Sequence, residues 1–283
     1  MRLNAVKVLG ISVTISSKDT ILEYLKKGLE KPSAVSSQPS PKSKKSIIIV
    51  TPNPEQIVLA QIDKRFAEIL NWADVAIPDG VGLVAAMRLL YQKSEIKRIP
   101  GVELMEDLVA MASKRGYPVA LIGGRAGVAV RAFECLRQKY PGLMGWTEEP
   151  GEMPILPISN TTNDQYYQYT KGIIEKISTT RTRIVFVGLG APKQELLIEA
   201  VSCQLLASFR LRRSGSAVSP PIVLMSVGGA FDIIAGRMPR APSFVRSVGL
   251  EWLWRLAREP WRWRRQLALI RFLWLIAKSR LSS

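Results

Sequence analysis

Five short apolar runs alternate along the chain with longer stretches of helical periodicity, and no other feature restricts the fold as strongly. The runs are residues 46–50, 74–77, 118–122, 183–187 and 221–226; the helical stretches are 54–70, 81–91, 101–114, 128–139 and 192–207. Strands apolar on both faces are buried on both faces, which happens when helical crossovers cover the two sides of a parallel sheet. The expectation is an α/β fold, Rossmann-like, with a mostly parallel sheet and helices on both faces. Ligand sites in such folds lie at the carboxyl ends of the strands. A chain of 283 residues is long enough to bury that core.

Three stretches break the alternation: 31–46 is rich in Ser, Pro and Lys, 148–163 in Pro, Thr and Asn, and 209–220 in Arg and Ser. They read as surface loops without catalytic content. Composition changes again after residue 236. Residues 237–283 hold eleven Lys/Arg and two Glu, a net +9, while the preceding 236 residues carry the other +8 of the chain's +17. Five of the seven Trp lie there as well: Trp252, Trp254, Trp261, Trp263 and Trp274. The chain therefore divides into an α/β catalytic core, 1–236, and a basic, Trp-rich helical appendage, 237–283.

So much positive charge calls for a polyanionic partner: nucleic acid, an anionic membrane face or a phosphorylated substrate. The chain has no His, which removes Ser-His-Asp triads and HExxH zinc sites, so acid–base work falls to Asp, Glu, Lys or Tyr. Cys135 and Cys203 are too few for a disulfide framework and read as core thiols in a reducing compartment. Residues 1–20 interrupt their apolar positions with Asn4 and Lys7 and lack a small-residue cleavage site, so no signal peptide is expected. The longest apolar candidate, 266–277, is cut by Arg271 and falls short of the roughly 18 residues of a membrane span. The expected protein is cytoplasmic and meets a membrane only at its inner surface.

Chemistry-bearing residues cluster where strands end. After the run 46–50 comes Thr51-Pro52-Asn53-Pro54-Glu55-Gln56, in which Asn53 is placed to cap a helix starting at Pro54, with Gln56 at the capping-box position. After 74–77 comes Pro78-Asp79-Gly80-Val81-Gly82, where Asp79 reads either as an N-cap or as a general base at the mouth of the sheet. Gly123-Gly124, Gly188-Leu189-Gly190 and Gly228-Gly229 each follow a strand and precede a helix. Such turns serve either tight backbone geometry or phosphate binding by N–H groups. GxxxxGK[ST] is absent and GxGxxG is not met at Gly188.

Taken in order, six segments resemble the WecG/TagA/CpsF glycosyltransferases, glycosyltransferase family 26. They are TPNPEQ (51–56), PDGVGL (78–83), RIPGVEL (98–104), VGLGAPKQE (187–195), VGGAFD (227–232) and GLEWLWRLAREPWRWRRQ (249–266). The resemblance implies inverting transfer of an N-acetylhexosaminyl group, N-acetylmannosamine or its uronic acid, from a UDP-sugar to an undecaprenyl-diphosphate-linked sugar, without metal or other cofactor. It makes Asp79 the base, with Thr51 and Asn53 lining its pocket, Arg98 facing the diphosphate and Gln194 touching sugar. Independently of the resemblance, their place between strand and helix would set Gly123, Gly124, Gly188 and Gly190 at the phosphates. The absence of any Asp-x-Asp agrees with metal independence. The same resemblance has the appendage fold over the site at the membrane, bringing Arg255, Arg262 and Arg265 to the diphosphate.

The appendage reads as two helices divided by Pro260, around 244–258 and 261–280. Arg264, Arg271 and Lys278 recur every seven residues and drift only about 20° per step, forming one basic stripe beside Leu267, Ile270, Leu273 and Trp274. This pattern suits a helix lying in an anionic membrane surface, and a buried helix at a homo-oligomer contact is the alternative. Two other functions stay open. A nucleic-acid-binding protein would explain the charge, although no RNA or DNA motif is present; a nucleotide-binding Rossmann-like oxidoreductase would explain the glycine turns, although its fingerprint is missing.

Overall fold

A computed structural model describes residues 1–30, 46–150, 164–211, 221–242, 244–245, 250–260 and 263–281. Most of each expected loop therefore lies outside the described residues. The chain opens with a hairpin, β1 (Ala5–Val8) and β2 (Ile11–Thr14), followed by α1 (Lys18–Glu30). Then come β3 (Ser46–Val50), α2 (Pro54–Ile62), α3 (Lys64–Trp72), β4 (Val75–Ala76), α4 (Val81–Tyr91), α5 (Gly101–Arg115), β5 (Val119–Gly123) and α6 (Val128–Lys139). The rest is β6 (Gly145–Glu148), α7 (Asp164–Thr179), β7 (Ile184–Gly188), α8 (Lys193–Leu211), β8 (Ile222–Ser226), α9 (Ala230–Ile234), α10 (Glu251–Arg258) and α11 (Trp263–Leu281).

Strands β3 to β8 form one six-stranded sheet in the order β4-β3-β8-β7-β5-β6, and every pairing in it is parallel. All their carboxyl ends therefore meet one edge. The two-residue period of the strands sorts their side chains into two cores. Ile48, Val50, Ile122, Val187 and Leu224 face one side with residues of α2, α3, α4, α7, α8 and α11. Ile49, Leu121, Phe186, Val223 and Met225 face the other with α1, α5, α6 and α9. This is the expected α/β architecture.

Three local differences from the sequence reading have clear causes. The expected helix over 54–70 is two helices, because Asp63 ends α2 in an extended conformation and its Oδ1 accepts the Phe66 N–H at 2.9 Å, capping α3. The β1–β2 hairpin turns through Leu9 and Gly10, both with positive φ, the geometry of a tight two-residue hairpin without its usual Asn-Gly signal. β6 is an edge strand of only GWTE, too polar and short for periodicity to reveal.

The C-terminal helix packs on this core. Phe272 and Ile276 on α11 are 0% and 2% exposed and join the cluster shared by α2, α3 and α4. The opposite side of the same helix leaves Trp263, Ile270 and Trp274 54%, 66% and 59% exposed. Among the described residues no helix is long and apolar enough to cross a membrane. Cys203 is exposed and Cys135 only partly covered, so the core-thiol reading fails for Cys203.

Candidate functional site

The loops after β3 and β4 are tied together by the Asp79 N–H, which donates to the Pro52 carbonyl at 3.2 Å. Asn53 caps α2 as its sequence suggests, its Oδ1 accepting the Gln56 N–H at 3.0 Å with Pro54 in the first turn. The capping box is not completed. Gln56 turns its side chain inward and donates from Nε2 to Glu195 Oε1 at 3.4 Å.

Asp79 does not cap the helix that follows it. The cap of α4 is Gly80, at φ +122°, with no side-chain bond. The Asp79 carboxylate reaches across to the next segment instead. Its Oδ1 accepts from Arg98 Nε at 3.2 Å and Nη2 at 3.1 Å, and its Oδ2 from the Gly101 N–H at 3.4 Å, at the start of α5. Thr51 is buried beside it. A Cβ on Gly101 would meet Thr51 Cγ2 at 3.2 Å and Asp79 Oδ2 at 3.6 Å, so the glycine lets the helix end approach both. Of the expected site residues, Thr51, Asn53, Asp79 and Arg98 are thus brought together at the sheet edge.

Arg98 carries a second carboxylate that sequence reasoning did not single out. Its Nη2 donates to Glu251 Oε2 at 3.0 Å, and Glu251 is buried in the first turn of α10. Burial works against the Arg98 charge, but Asp79 and Glu251 outweigh it and hold the guanidinium above its ordinary range. A few residues upstream, Arg240 pairs with Glu103 in the first turn of α5. Two ion pairs therefore bind the beginning of the basic tail to the segment 98–103 that faces the Asp79 carboxylate. The available signal was Glu251 itself, one of only two acidic residues among the last 47.

The glycine turns pack closely against one another. The Gly124 N–H donates to the Gly188 carbonyl at 2.9 Å. A Cβ on Gly123, at φ +112°, would sit 2.8 Å from that carbonyl group, and one on Gly188 would sit 2.8 Å from the Phe231 ring. Positive φ suits Gly123, Gly124 and Gly190 to glycine, and the Phe231 ring leaves no room for a side chain at Gly188. Gly123→Ala is expected to cost about 1–3 kcal/mol in denaturant unfolding, because both its φ and a backbone clash oppose the methyl. Gln194 is buried, its Nε2 donating to Glu195 Oε1 at 2.7 Å and its Oε1 accepting the Gly228 N–H at 3.0 Å. It therefore braces the turn after β8 and does not present its amide to a sugar in this arrangement.

The C-terminal helix reaches the same edge. A Cβ on Gly82 would lie 2.8 Å from Leu269 Cδ1 of α11 and 3.3 Å from Pro54, so the helix crosses the starts of α2 and α4, next to the Asp79 loop. Arg262 lies outside the described residues, as do the side chains of Arg255, Arg264 and Arg265. Among the described residues, no group of three or more His, Cys, Asp or Glu is placed to hold a metal ion. Residues 6–283 match the family model described as "Glycosyl transferase WecG/TagA/CpsF family". A match over nearly the whole chain, on a parallel α/β sheet whose shared motifs converge on one edge, shows that this protein belongs to the WecG/TagA/CpsF family of glycosyltransferases.

Proposed function

We propose that the chain transfers an N-acetylhexosaminyl group, N-acetylmannosamine or its uronic acid, from a UDP-sugar to a sugar linked to undecaprenyl diphosphate, with inversion and without a metal ion. The single observation that carries this reading is the Asp79 carboxylate at the carboxyl edge of the sheet. It leaves its own helix uncapped and is oriented by Arg98 and the Gly101 N–H. A carboxylate so held, and partly open to solvent, can accept the proton of an acceptor hydroxyl as that oxygen attacks the anomeric carbon and UDP departs. Arg98, a positive charge fixed beside that carboxylate, would answer the diphosphate, a role in which a guanidinium serves well.

The exposed side of α11 supports work at an anionic membrane surface. Trp263, Ile270 and Trp274 are exposed together, and Lys278 stands over the Trp274 ring at 5.3 Å. Indole rings and flanking cations are the residues that settle at a headgroup boundary. In this reading the protein is peripheral on the inner membrane face, where a lipid-linked acceptor is found, and takes no nucleic acid.

The test is UDP release by purified protein in EDTA with UDP-N-acetylmannosamine and a lipid-diphosphate N-acetylglucosamine acceptor analogue. Acceptor-dependent release is the expected result. If release needs added Mg²⁺ or Mn²⁺, the metal-free part of the reading falls; if this donor is inert, a panel of UDP-sugars decides the sugar.

A further inference from the structure

Behind the site lies a buried polar cluster to which the proposed chemistry assigns no task. Glu195, in the first turn of α8, is 0% exposed. Its Oε1 accepts from Gln194 Nε2 at 2.7 Å and from Gln56 Nε2 at 3.4 Å. Gln194 in turn accepts the Gly228 N–H at 3.0 Å, and the Gln56 N–H is bound to the Asn53 cap. One carboxyl group thus joins three strand-end turns: the start of α2 after β3, the start of α8 after β7 and the turn after β8.

The cluster is short of donors. Glu195 Oε2 and Gln56 Oε1 are buried acceptors without a hydrogen bond of ordinary geometry, and beside them Ser226 Oγ, which faces the carboxyl, offers a single O–H. Among the described residues no cation acts on the carboxyl: the groups that face it are Gln56 from α2, Gln194 and the Glu195 N–H from its own helix, and Ser226 from β8. A neutral acid adds one O–H donor to a pocket of orphaned oxygens, whereas a carboxylate adds an unpaired buried charge. Burial pushes the Glu195 carboxyl up to about 7, against Gln194, its own backbone N–H and Ser226, which favour the charged form.

We propose that Glu195 is a positioning residue of the site: as the neutral acid it holds Gln56 and Gln194 in place and keeps the three turns ordered, and as the carboxylate it loosens them. The proposal uses the glycosyltransferase reading only to say which site the turns serve. Ionisation draws water or a counter-ion into the cluster, and the first bonds to give way are the Gln56 contact at 3.4 Å and, through Gln194, the brace on Gly228.

The test compares wild type with Glu195→Gln, a neutral side chain of the same shape, from pH 5.5 to 8.5. Amide exchange, corrected for its intrinsic pH dependence, is read at residues 55–57 and 226–230. Below pH 6 the two proteins are expected to match. Above pH 7.5 the wild type is expected to exchange roughly tenfold faster at both segments while the variant keeps its low-pH protection. The unfolding midpoint gives a second reading. Between about 4.5 and about 7 the unfolded chain has released this proton and the folded protein still holds it. Wild-type stability therefore falls with rising pH through that window and is level above it, and the variant lacks this fall. Equal exchange profiles in the two proteins overturn the proposal. Should the variant not fold, constant wild-type protection at Gly228 from pH 6 to 8 overturns it equally. Neither readout needs a substrate, so a protein that shows the expected exchange but turns over no UDP-sugar refutes the proposed function and leaves this inference standing. Where turnover is present, wild-type KM for the UDP-sugar is expected to rise across the same window and that of the variant to stay flat.

Discussion

Asp79→Asn is expected to lower turnover by about 10² to 10⁴ while leaving the protein folded, the range associated with loss of a general base. The amide is the same size as the carboxyl and its oxygen can still accept from Arg98 Nε and Nη2, which now contact Asp79 Oδ1 at 3.2 and 3.1 Å. What it cannot do is take a proton. Its nitrogen would also oppose the Gly101 N–H where Asp79 Oδ2 now accepts at 3.4 Å, so a small stability change at the start of α5 is expected alongside. The loss should fall on kcat and on kcat/KM alike, with UDP-sugar binding retained, because the carboxylate acts on the attacking hydroxyl. Unchanged turnover in a folded variant would remove Asp79 from that role and turn attention to other groups on the same edge.

The second large effect separates the two sides of α11. Phe272→Ala is expected to destabilise the protein by about 3–5 kcal/mol, since the ring is fully buried against the sheet-side core and its removal leaves a cavity. Replacing Trp263, Ile270 and Trp274 together with Ser is expected to leave the unfolding midpoint nearly unchanged, since all three are exposed. The same triple change should weaken co-sedimentation with anionic liposomes by about 10²-fold or more, taking a few kcal/mol of apolar burial as lost. Retained binding would refute the interfacial role of this side. Composition alone suggests that truncation after Pro239 would leave a folded core without its membrane contact. The packing of Phe272 and Ile276 argues otherwise: truncation strips the cover from α2 and α4, so surface substitution is the cleaner test.

The sheet was legible because its signal is local. An apolar run of four to six residues followed by a capped helix needs no distant partner to be recognised, and five of the six strands of the main sheet lie within a residue or two of their expected places. The missing one, β6, carries polar residues at an edge, where burial exerts little selection on the pattern. Asn53 was legible for a similar reason, since a cap and the helix it begins are neighbours in sequence. The break at Asp63 shows the limit, because two apolar helical stretches in succession share one periodicity until a cap interrupts them.

The places of five of the sheet's strands, the turns that end them and the concentration of charge and Trp after residue 236 were determined by the sequence alone, each being a property of neighbouring residues. Only the tertiary structure decided which partners the side chains of those turns meet. The Asp79 carboxylate turned from its own helix to an arginine 19 positions away, Glu251 came to Arg98 across 153, and Gln56 to Glu195 across 139. Gln194 went inward for the same reason. It also decided that α11 has one apolar side in the core and another exposed. Direction of a polar side chain is set by whichever donor or acceptor the fold brings within about 3 Å, and no local pattern records that partner.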